Sequence, residues 1–164
     1  MNLNALPIVL IGPMGVGKTT IGKKLARSLS VTFEDTDAIV VEKHGAIEDI
    51  FANQGEAKFR EFETDALNQA LQSGGVIATG GGIILSDRNR ALLSGHNVFY
   101  LSTDGKHQAS RLQGGKRPLL KNGLDDWKRI YEARKPLYEA TARHTIDTSS
   151  AGLREIVQRI EGLL

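Results

Sequence analysis

The stretch "GPMGVGKT", Gly12 to Thr19, decides the fold of this chain. It matches the pattern GxxxxGK[ST] in full, after the apolar segment "LPIVLI" (6–11) and before a segment of helical period. In that setting, glycines let backbone N–H groups turn toward phosphate oxygens, and the N-terminus of the following helix adds a favourable dipole. The pattern therefore predicts a phosphate-binding loop between a buried strand and a helix.

Two side chains of this loop have predicted tasks. We expect the ammonium group of Lys18 to reach the β- and γ-phosphates of a nucleotide, and the hydroxyl of Thr19 to ligate Mg²⁺. The nucleotide-binding candidates in and after the loop are Gly12, Gly15, Val16, Gly17, Lys18, Thr19 and Thr20. A phosphate loop alone does not name an enzyme, because kinases, GTPases, motors and inert nucleotide-binding proteins share it. The guanine-reading NKxD element of GTPases is absent from the sequence.

Composition narrows the class of protein. A chain of 164 residues fits one domain, and a net charge of +2 is too small to predict nucleic-acid binding by itself. The absence of cysteine excludes disulfides and thiolate metal sites. No apolar run approaches the roughly 20 residues of a membrane span, and the first residues lack a secretion signal. We expect a soluble, cytoplasmic protein with neither nucleic acid nor membrane as partner.

Short apolar runs alternate with segments of helical period, which is typical of βα units and a largely parallel sheet. The candidate strands are Pro7–Ile11, Thr32–Glu34, Val76–Ala78, Asn97–Leu101 and Thr145–Asp147, and the clearest candidate helices are Lys18–Leu29, Glu56 to about Leu71, and Leu153–Leu163.

Two segments follow predicted strands, where open α/β sheets bind their ligands. In "FEDTD", Asp35 and Asp37 are two residues apart and would point the same way in an extended chain, one toward a metal's water shell and one toward a hydroxyl. A helix cap formed by Thr36 or Asp37 is an equally good interpretation. In "VIATGGGIIL", Gly80–Gly82 predict either a tight turn or a place where a ligand approaches the backbone.

Basic residues have ordinary interpretations when each is taken alone. Arg60 is one helical turn from Glu56 and Glu63, the spacing of a surface ion pair. Arg134 stands two residues before Pro136, which is expected to end a helix. The positive charge of Arg134 would then interact favourably with the dipole at the C-terminus of that helix. The segment "LQGGKRPLLKNGL" (112–124) has the composition of a loop.

Taken together, these segments resemble the shikimate kinase family. The motifs "GPMGVGKTTIGKKLA", "FEDTD", "IEDIFANQGEAKFREFE", "VIATGGGIIL", "RPLL" and "RKPLYEATA" stand in the family's order and spacing over almost the whole chain. The resemblance implies a three-layer, nucleoside-monophosphate-kinase-like P-loop fold, α/β, with a central five-stranded parallel sheet flanked by helices. It also implies transfer of the γ-phosphoryl group of ATP to the 3-hydroxyl of shikimate, giving shikimate 3-phosphate and ADP in aromatic amino-acid biosynthesis.

The resemblance also assigns roles to residues. The shikimate-contacting positions would be Asp37, Arg60, Gly81, Gly82 and Arg134. Thr19 and, through water, Asp35 would hold Mg²⁺; Arg117 would close on the phosphates and Arg111 would lie at the adenine. The catalytic residues would be Lys18, Asp37, as proton acceptor, and Arg117.

The expected organisation is one domain, 1–164, with a substrate-binding subdomain at about 36–62 and a lid at about 112–124. We expect a monomer. Ala46 departs from the Ser or Thr that the family often has at a helix start, and gives up a side-chain cap. The alternatives are another small hydroxy-acid kinase of the gluconate type and a non-catalytic nucleotide-binding switch.

Overall fold

A parallel sheet of five strands organises the chain in the computed structural model, which describes residues 5–108 and 119–164. The strand order is β2-β3-β1-β4-β5, and all neighbouring strands pair in parallel. The strands are β1 (Ile8–Ile11), β2 (Phe33–Asp35), β3 (Val76–Ala78), β4 (Asn97–Ser102) and β5 (His144–Asp147). Each predicted strand is confirmed, with ends shifted by no more than one residue.

Two apolar cores cover the two faces of the sheet. Along β1, Val9 and Ile11 face one core, whereas Ile8 and Leu10 face the other. All four side chains are fully buried, as expected for a central parallel strand, because successive side chains point to opposite faces. Helices close both cores, and this gives the predicted three layers.

The helices confirm the predicted periodicity and add shorter elements. They are α1 (Lys18–Leu29), α2 (Thr36–His44), α3 (Ile47–Gln54), α4 (Glu56–Ser73), α5 (Asp87–Leu93), α6 (Leu124–Thr141) and α7 (Leu153–Glu161). The first has the predicted bounds, α4 extends to Ser73, and α7 ends two residues early. Ala46 precedes α3 without a side-chain cap, as predicted.

The prediction that Pro136 ends a helix is wrong. Pro136 lies inside α6, which continues to Thr141. Proline removes one backbone hydrogen bond from a helix interior, a cost that packing can offset. Beyond the proline, Tyr138 is fully buried among aromatic side chains, so the last turn is held by the core rather than by local propensity. Arg134 is therefore not at a helix C-terminus.

Part of the predicted lid, 112–124, lies outside the described residues, and so do Arg111 and Arg117. Its described part consists of turns that lead into α6. Among the helices of residues 5–108 and 119–164, none is long and apolar enough to cross a membrane.

Candidate active site

The phosphate loop joins β1 to α1 at the carboxyl edge of the sheet. Gly12 has φ 150°, and a Cβ there would stand 2.6 Å from the Leu101 carbonyl oxygen, so the loop needs glycine at its start. Lys18 is nearly buried, and its Nζ donates to the carbonyl oxygens of Gly12 (2.6 Å) and Pro13 (2.8 Å). The ammonium group thus lies inside the curve of the loop, where a phosphate would be bound.

Asp35 connects the phosphate loop to the start of α2. Its Oδ2 accepts a hydrogen bond from the Thr19 hydroxyl at 2.7 Å, while its Oδ1 accepts from the backbone N–H groups of Asp37 (2.9 Å) and Ala38 (3.3 Å). Asp35, rather than Thr36 or Asp37, is therefore the helix cap. Because Asp35 is extended (φ −125°, ψ 121°), its carboxylate reaches the N–H groups two and three residues ahead.

Asp37 lies in the first turn of α2, so the prediction that the two aspartates point the same way from one extended segment is wrong. The two carboxylates nevertheless line the same cavity, which we call the phosphate cavity; its lining also includes Gly15, Gly17, Lys18, Thr19 and Gly80. Among the described residues, no three His, Asp or Glu side chains cluster closely enough to hold a metal by themselves. A cation in this cavity would need further oxygen ligands from phosphate and water.

A second cavity of about 150 Å³ adjoins the first, and we call it the arginine cavity. The two cavities share Met14, Asp37, Gly80 and Gly81. The polar wall of the arginine cavity includes Arg60, Glu63 and Arg134, and its apolar wall consists of Met14, Ile47, Phe51, Phe59 and Leu119. Much of the lining of the arginine cavity comes from α3 and from the start of α4, which fall largely within the substrate-binding subdomain predicted at about 36–62.

Arg60 makes the predicted ion pairs and also faces the arginine cavity. Its guanidinium donates to Glu63 Oε1 and Glu56 Oε1, both at 3.1 Å, and lies 5.2 Å from the centre of the Phe59 ring. Its side chain is only 19% exposed, which is too little for an ordinary surface pair. The two glutamates therefore hold a partly desolvated guanidinium at the cavity.

Glu63 is the buried partner in this pair. Its side chain is 1% exposed, and within the described residues Oε2 accepts no hydrogen bond. Burial raises the pKa of Glu63 to about 7; Arg60 opposes this rise, whereas the charge of Asp37 adds to it. The carboxyl group therefore changes its charge near neutral pH.

Arg134 reaches the same cavity from the other side, on α6. It is 7% exposed, and its Nη1 lies 3.5 Å from the place where a Cβ on Gly81 would stand. Two guanidinium groups from separate helices thus meet at one cavity, which already contains two carboxylates, Asp37 and Glu63.

The three consecutive glycines are needed for space. None of Gly80, Gly81 and Gly82 has a positive φ, so the turn conformation does not require glycine. A Cβ on Gly80 would stand 2.8 Å from both Asp37 Oδ1 and Glu63 Oε2, and a Cβ on Gly82 would stand 2.2 Å from Arg60 Nη1. The glycines let the charged side chains of the cavity approach the backbone.

A third cavity was missed in the sequence analysis. It has a volume of about 370 Å³, borders the outer side of the phosphate loop, and includes Thr148, Ala151, Leu153 and Ile156 from the segment after β5. The rule that ligands bind beyond the carboxyl ends of strands would have found this segment, had it been applied to the fifth strand.

Comparison with known proteins decides the family. The family model described as shikimate kinase matches residues 14–163. The chain belongs to the shikimate kinase family. It is 43% identical over 160 residues to the shikimate kinase of Streptomyces coelicolor, and the match covers 95% of this chain and 94% of the relative. Its activity is accordingly that of an ATP-dependent shikimate kinase, as predicted.

Comparison of the fold with solved structures supports the same family. The structure of shikimate kinase from Acinetobacter baumannii in complex with shikimate has a TM-score of 0.90 and 40% identity, and the match covers 95% of this chain and 90% of the other. A gluconokinase from Sinorhizobium meliloti is only 20% identical, with a TM-score of 0.63 over 93% and 87% of the two chains. That second likeness shows a shared fold and no more.

Proposed function

We propose that shikimate binds in the arginine cavity and that the phosphates of ATP bind in the phosphate cavity. The observation that carries this assignment is the shared wall of the two cavities, which includes Asp37, Gly80 and Gly81. Phosphoryl transfer needs an acceptor hydroxyl in line with the γ-phosphate, so adjoining cavities suit the reaction. The relative from Acinetobacter baumannii was solved in complex with shikimate, which supports a shikimate site in this chain.

In this proposal the carboxylate of shikimate lies between Arg60 and Arg134. Guanidinium groups bind carboxylates by charge-assisted, often bidentate hydrogen bonds, and partial burial strengthens such bonds. The apolar wall formed by Ile47, Phe51 and Phe59 packs against the ring of the substrate. The backbone of Gly81 and Gly82 borders the same space and leaves room for the ring.

Asp37 is the proposed partner of the acceptor hydroxyl. Its carboxylate stands where the two cavities meet, so it can accept a hydrogen bond from a hydroxyl that points at the γ-phosphate. A loose transition state needs little base catalysis, and orienting the hydroxyl is then the larger part of the task. Asp37 accepts the hydroxyl proton as the new P–O bond forms and the bond between the γ-phosphorus and the β–γ bridging oxygen breaks, which releases ADP.

Thr19 and Asp35 are the proposed residues at Mg²⁺. The hydroxyl and the carboxylate are already 2.7 Å apart, and oxygen ligands are those that Mg²⁺ prefers. When bound, Mg²⁺ neutralises charge on the phosphates. Asp35 Oδ1 already caps α2. We therefore propose that the Asp35 carboxylate binds a water ligand of the metal rather than the metal itself.

Nucleotide binding requires Lys18 to exchange partners. Its ammonium group donates to two loop carbonyls, and phosphate oxygens would replace them with stronger, charge-assisted bonds. The third cavity is the proposed nucleoside site, since it borders Gly15 and Gly17 on the outer side of the loop. Arg111 at the adenine, Arg117 at the phosphates, the lid at 112–124, the subdomain at 36–62 and the monomeric state remain predictions.

The arginine variants test the proposed shikimate site. Arg60→Ala and Arg134→Ala should each raise the KM for shikimate by about tenfold or more, because each removes a charge-assisted bond, and should change the KM for ATP little. Arg129→Ala is the matched control: Arg129 is on α6 like Arg134, but its side chain is 70% exposed. Unchanged shikimate KM in both variants would place the substrate carboxylate elsewhere.

A further inference from the structure

The hydroxyl of Tyr138 connects α6 to the three consecutive glycines Gly80–Gly82, which we call the glycine segment. Tyr138 is fully buried, and its O–H donates to the carbonyl oxygen of Gly81 at 2.5 Å. It lies on α6 one turn after Arg134, and the two side chains border the same narrow cleft beside Pro13 and Met14. The phenol oxygen is therefore bonded to the backbone that borders the arginine cavity, from the same face of α6 as Arg134.

We propose that Tyr138 is a positioning residue for shikimate, which holds Arg134 and the peptide between Gly81 and Gly82 in the geometry that binds the substrate. This inference rests on the proposed shikimate site. It assigns to Tyr138 a role in substrate affinity that packing alone does not require.

The peptide geometry explains how the hydroxyl acts on the cavity. In a trans peptide the carbonyl and the N–H point in opposite directions, so fixing the Gly81 carbonyl on Tyr138 also fixes the direction of the Gly82 N–H. Gly82 lines the arginine cavity and lies against the Arg60 guanidinium. The hydroxyl thus sets the backbone beside Arg60, while the tyrosine side chain packs one helical turn from Arg134.

The hydroxyl remains a donor throughout the range of enzyme assays. Burial raises the pKa of Tyr138 to about 12, although the charge of Arg134 opposes this rise. The bond to Gly81 is therefore present from acidic to moderately alkaline pH.

The ring of Tyr138 has a separate, structural task, and α6 offers a matched control. Tyr138 packs against Tyr100 with ring centres 5.1 Å apart, and Tyr131 packs in the same cluster. The Tyr131 hydroxyl shares a hydrogen bond with Tyr100 at 2.6 Å and accepts from the Thr103 N–H at 3.2 Å. Tyr131 is thus a buried tyrosine of the same helix whose hydroxyl bonds are made away from the glycine segment.

The test compares Tyr138→Phe with Tyr131→Phe in steady-state kinetics with both substrates. Both keep the ring, and each loses the hydrogen bonds of one hydroxyl. We expect Tyr138→Phe to raise the KM for shikimate about tenfold and to leave the KM for ATP within about twofold. Tyr131→Phe should leave both KM values within about twofold, whatever its effect on thermal stability.

Several outcomes would overturn the proposal. A shikimate KM within about twofold of wild type in Tyr138→Phe, or equal rises in both KM values, would make the hydroxyl merely structural. Should Tyr138→Phe not fold, p-aminophenylalanine at position 138 keeps an N–H donor, and shikimate KM near wild type is then expected. If Arg134→Ala also leaves shikimate KM unchanged, the proposed site fails; if Arg134→Ala raises it and Tyr138→Phe does not, only the role of Tyr138 fails.

Discussion

Replacing Gly82 with alanine should weaken shikimate binding while leaving the protein folded. The added Cβ would stand 2.2 Å from Arg60 Nη1 and 2.6 Å from Arg60 Cζ. Ordinary van der Waals contact begins near 3.4 Å, so the guanidinium must move by about 1.2 Å. The movement displaces the nitrogen that donates to Glu63 Oε1, and it shifts the guanidinium from the place where we propose that it binds the substrate carboxylate.

The expected size follows from the bond that is lost. A hydrogen bond to a charged group contributes about 1.5 to 3 kcal/mol, which corresponds to roughly 10- to 150-fold in the Kd for shikimate. The backbone at Gly82, with φ −94° and ψ 10°, suits any residue. Because the clash is with the end of a flexible side chain, the melting temperature should change by only about 3 °C.

Isothermal titration with shikimate, and separately with MgATP, measures the effect. Gly162→Ala is the control, since a Cβ there meets only ordinary contacts at 3.5 and 3.6 Å, far from the cavity in the last turn after α7. A wild-type shikimate Kd in Gly82→Ala would refute the close approach of Arg60. Equal weakening of shikimate and MgATP would mean that the glycine segment acts on the whole sheet edge rather than on one cavity.

Other predictions concern the carboxylates and the lid. Asp35→Ala should lower both turnover and the free energy of unfolding, the latter by about 1 kcal/mol because the α2 cap is lost. Asp37→Asn should lower turnover with little loss of stability. Thermal unfolding and kinetics of both variants check this, and equal melting temperatures would contradict the capping role of Asp35. The pKa of Glu63 is raised to about 7, so the native state holds a proton that the unfolded state releases above about 4.5. Wild type should therefore lose up to about 3 kcal/mol of unfolding free energy relative to Glu63→Gln as pH rises from about 4.5 to about 7; parallel pH profiles would contradict it. Arg117→Ala should mainly lower turnover, and unchanged turnover would remove Arg117 from the phosphates.

The parts of the fold with a strong local signal could be predicted from the sequence. The phosphate loop has a fixed spacing between a buried strand and a helix, and α1 has the predicted bounds of Lys18–Leu29. The central strands β1, β3 and β4 also stood out, because parallel strands buried on both faces are nearly continuous apolar runs. Pro136 shows the opposite case: local propensity ends the helix, but the buried aromatic cluster beyond it continues the helix.

The site was harder to predict because its residues meet only in three dimensions. Spacing along α4 correctly pairs Arg60 with Glu63 but cannot show that the pair faces a cavity. Arg134 lies on a different helix, 74 residues after Arg60 in the sequence, and only the fold brings it to the same cavity. Tyr138 gave no signal, since a buried tyrosine in a helix is ordinary until its hydroxyl is seen on the Gly81 carbonyl.

We propose that the adjoining phosphate and arginine cavities together select shikimate as the phosphoryl acceptor. The most direct measurement is ADP formation from MgATP by the purified protein with shikimate, gluconate or nucleoside monophosphates as the only acceptor. We expect ADP formation with shikimate alone, together with shikimate 3-phosphate in equal amount, and loss of turnover when Mg²⁺ is chelated. Equal turnover with all three acceptors, or ADP formation independent of any acceptor, would contradict the account.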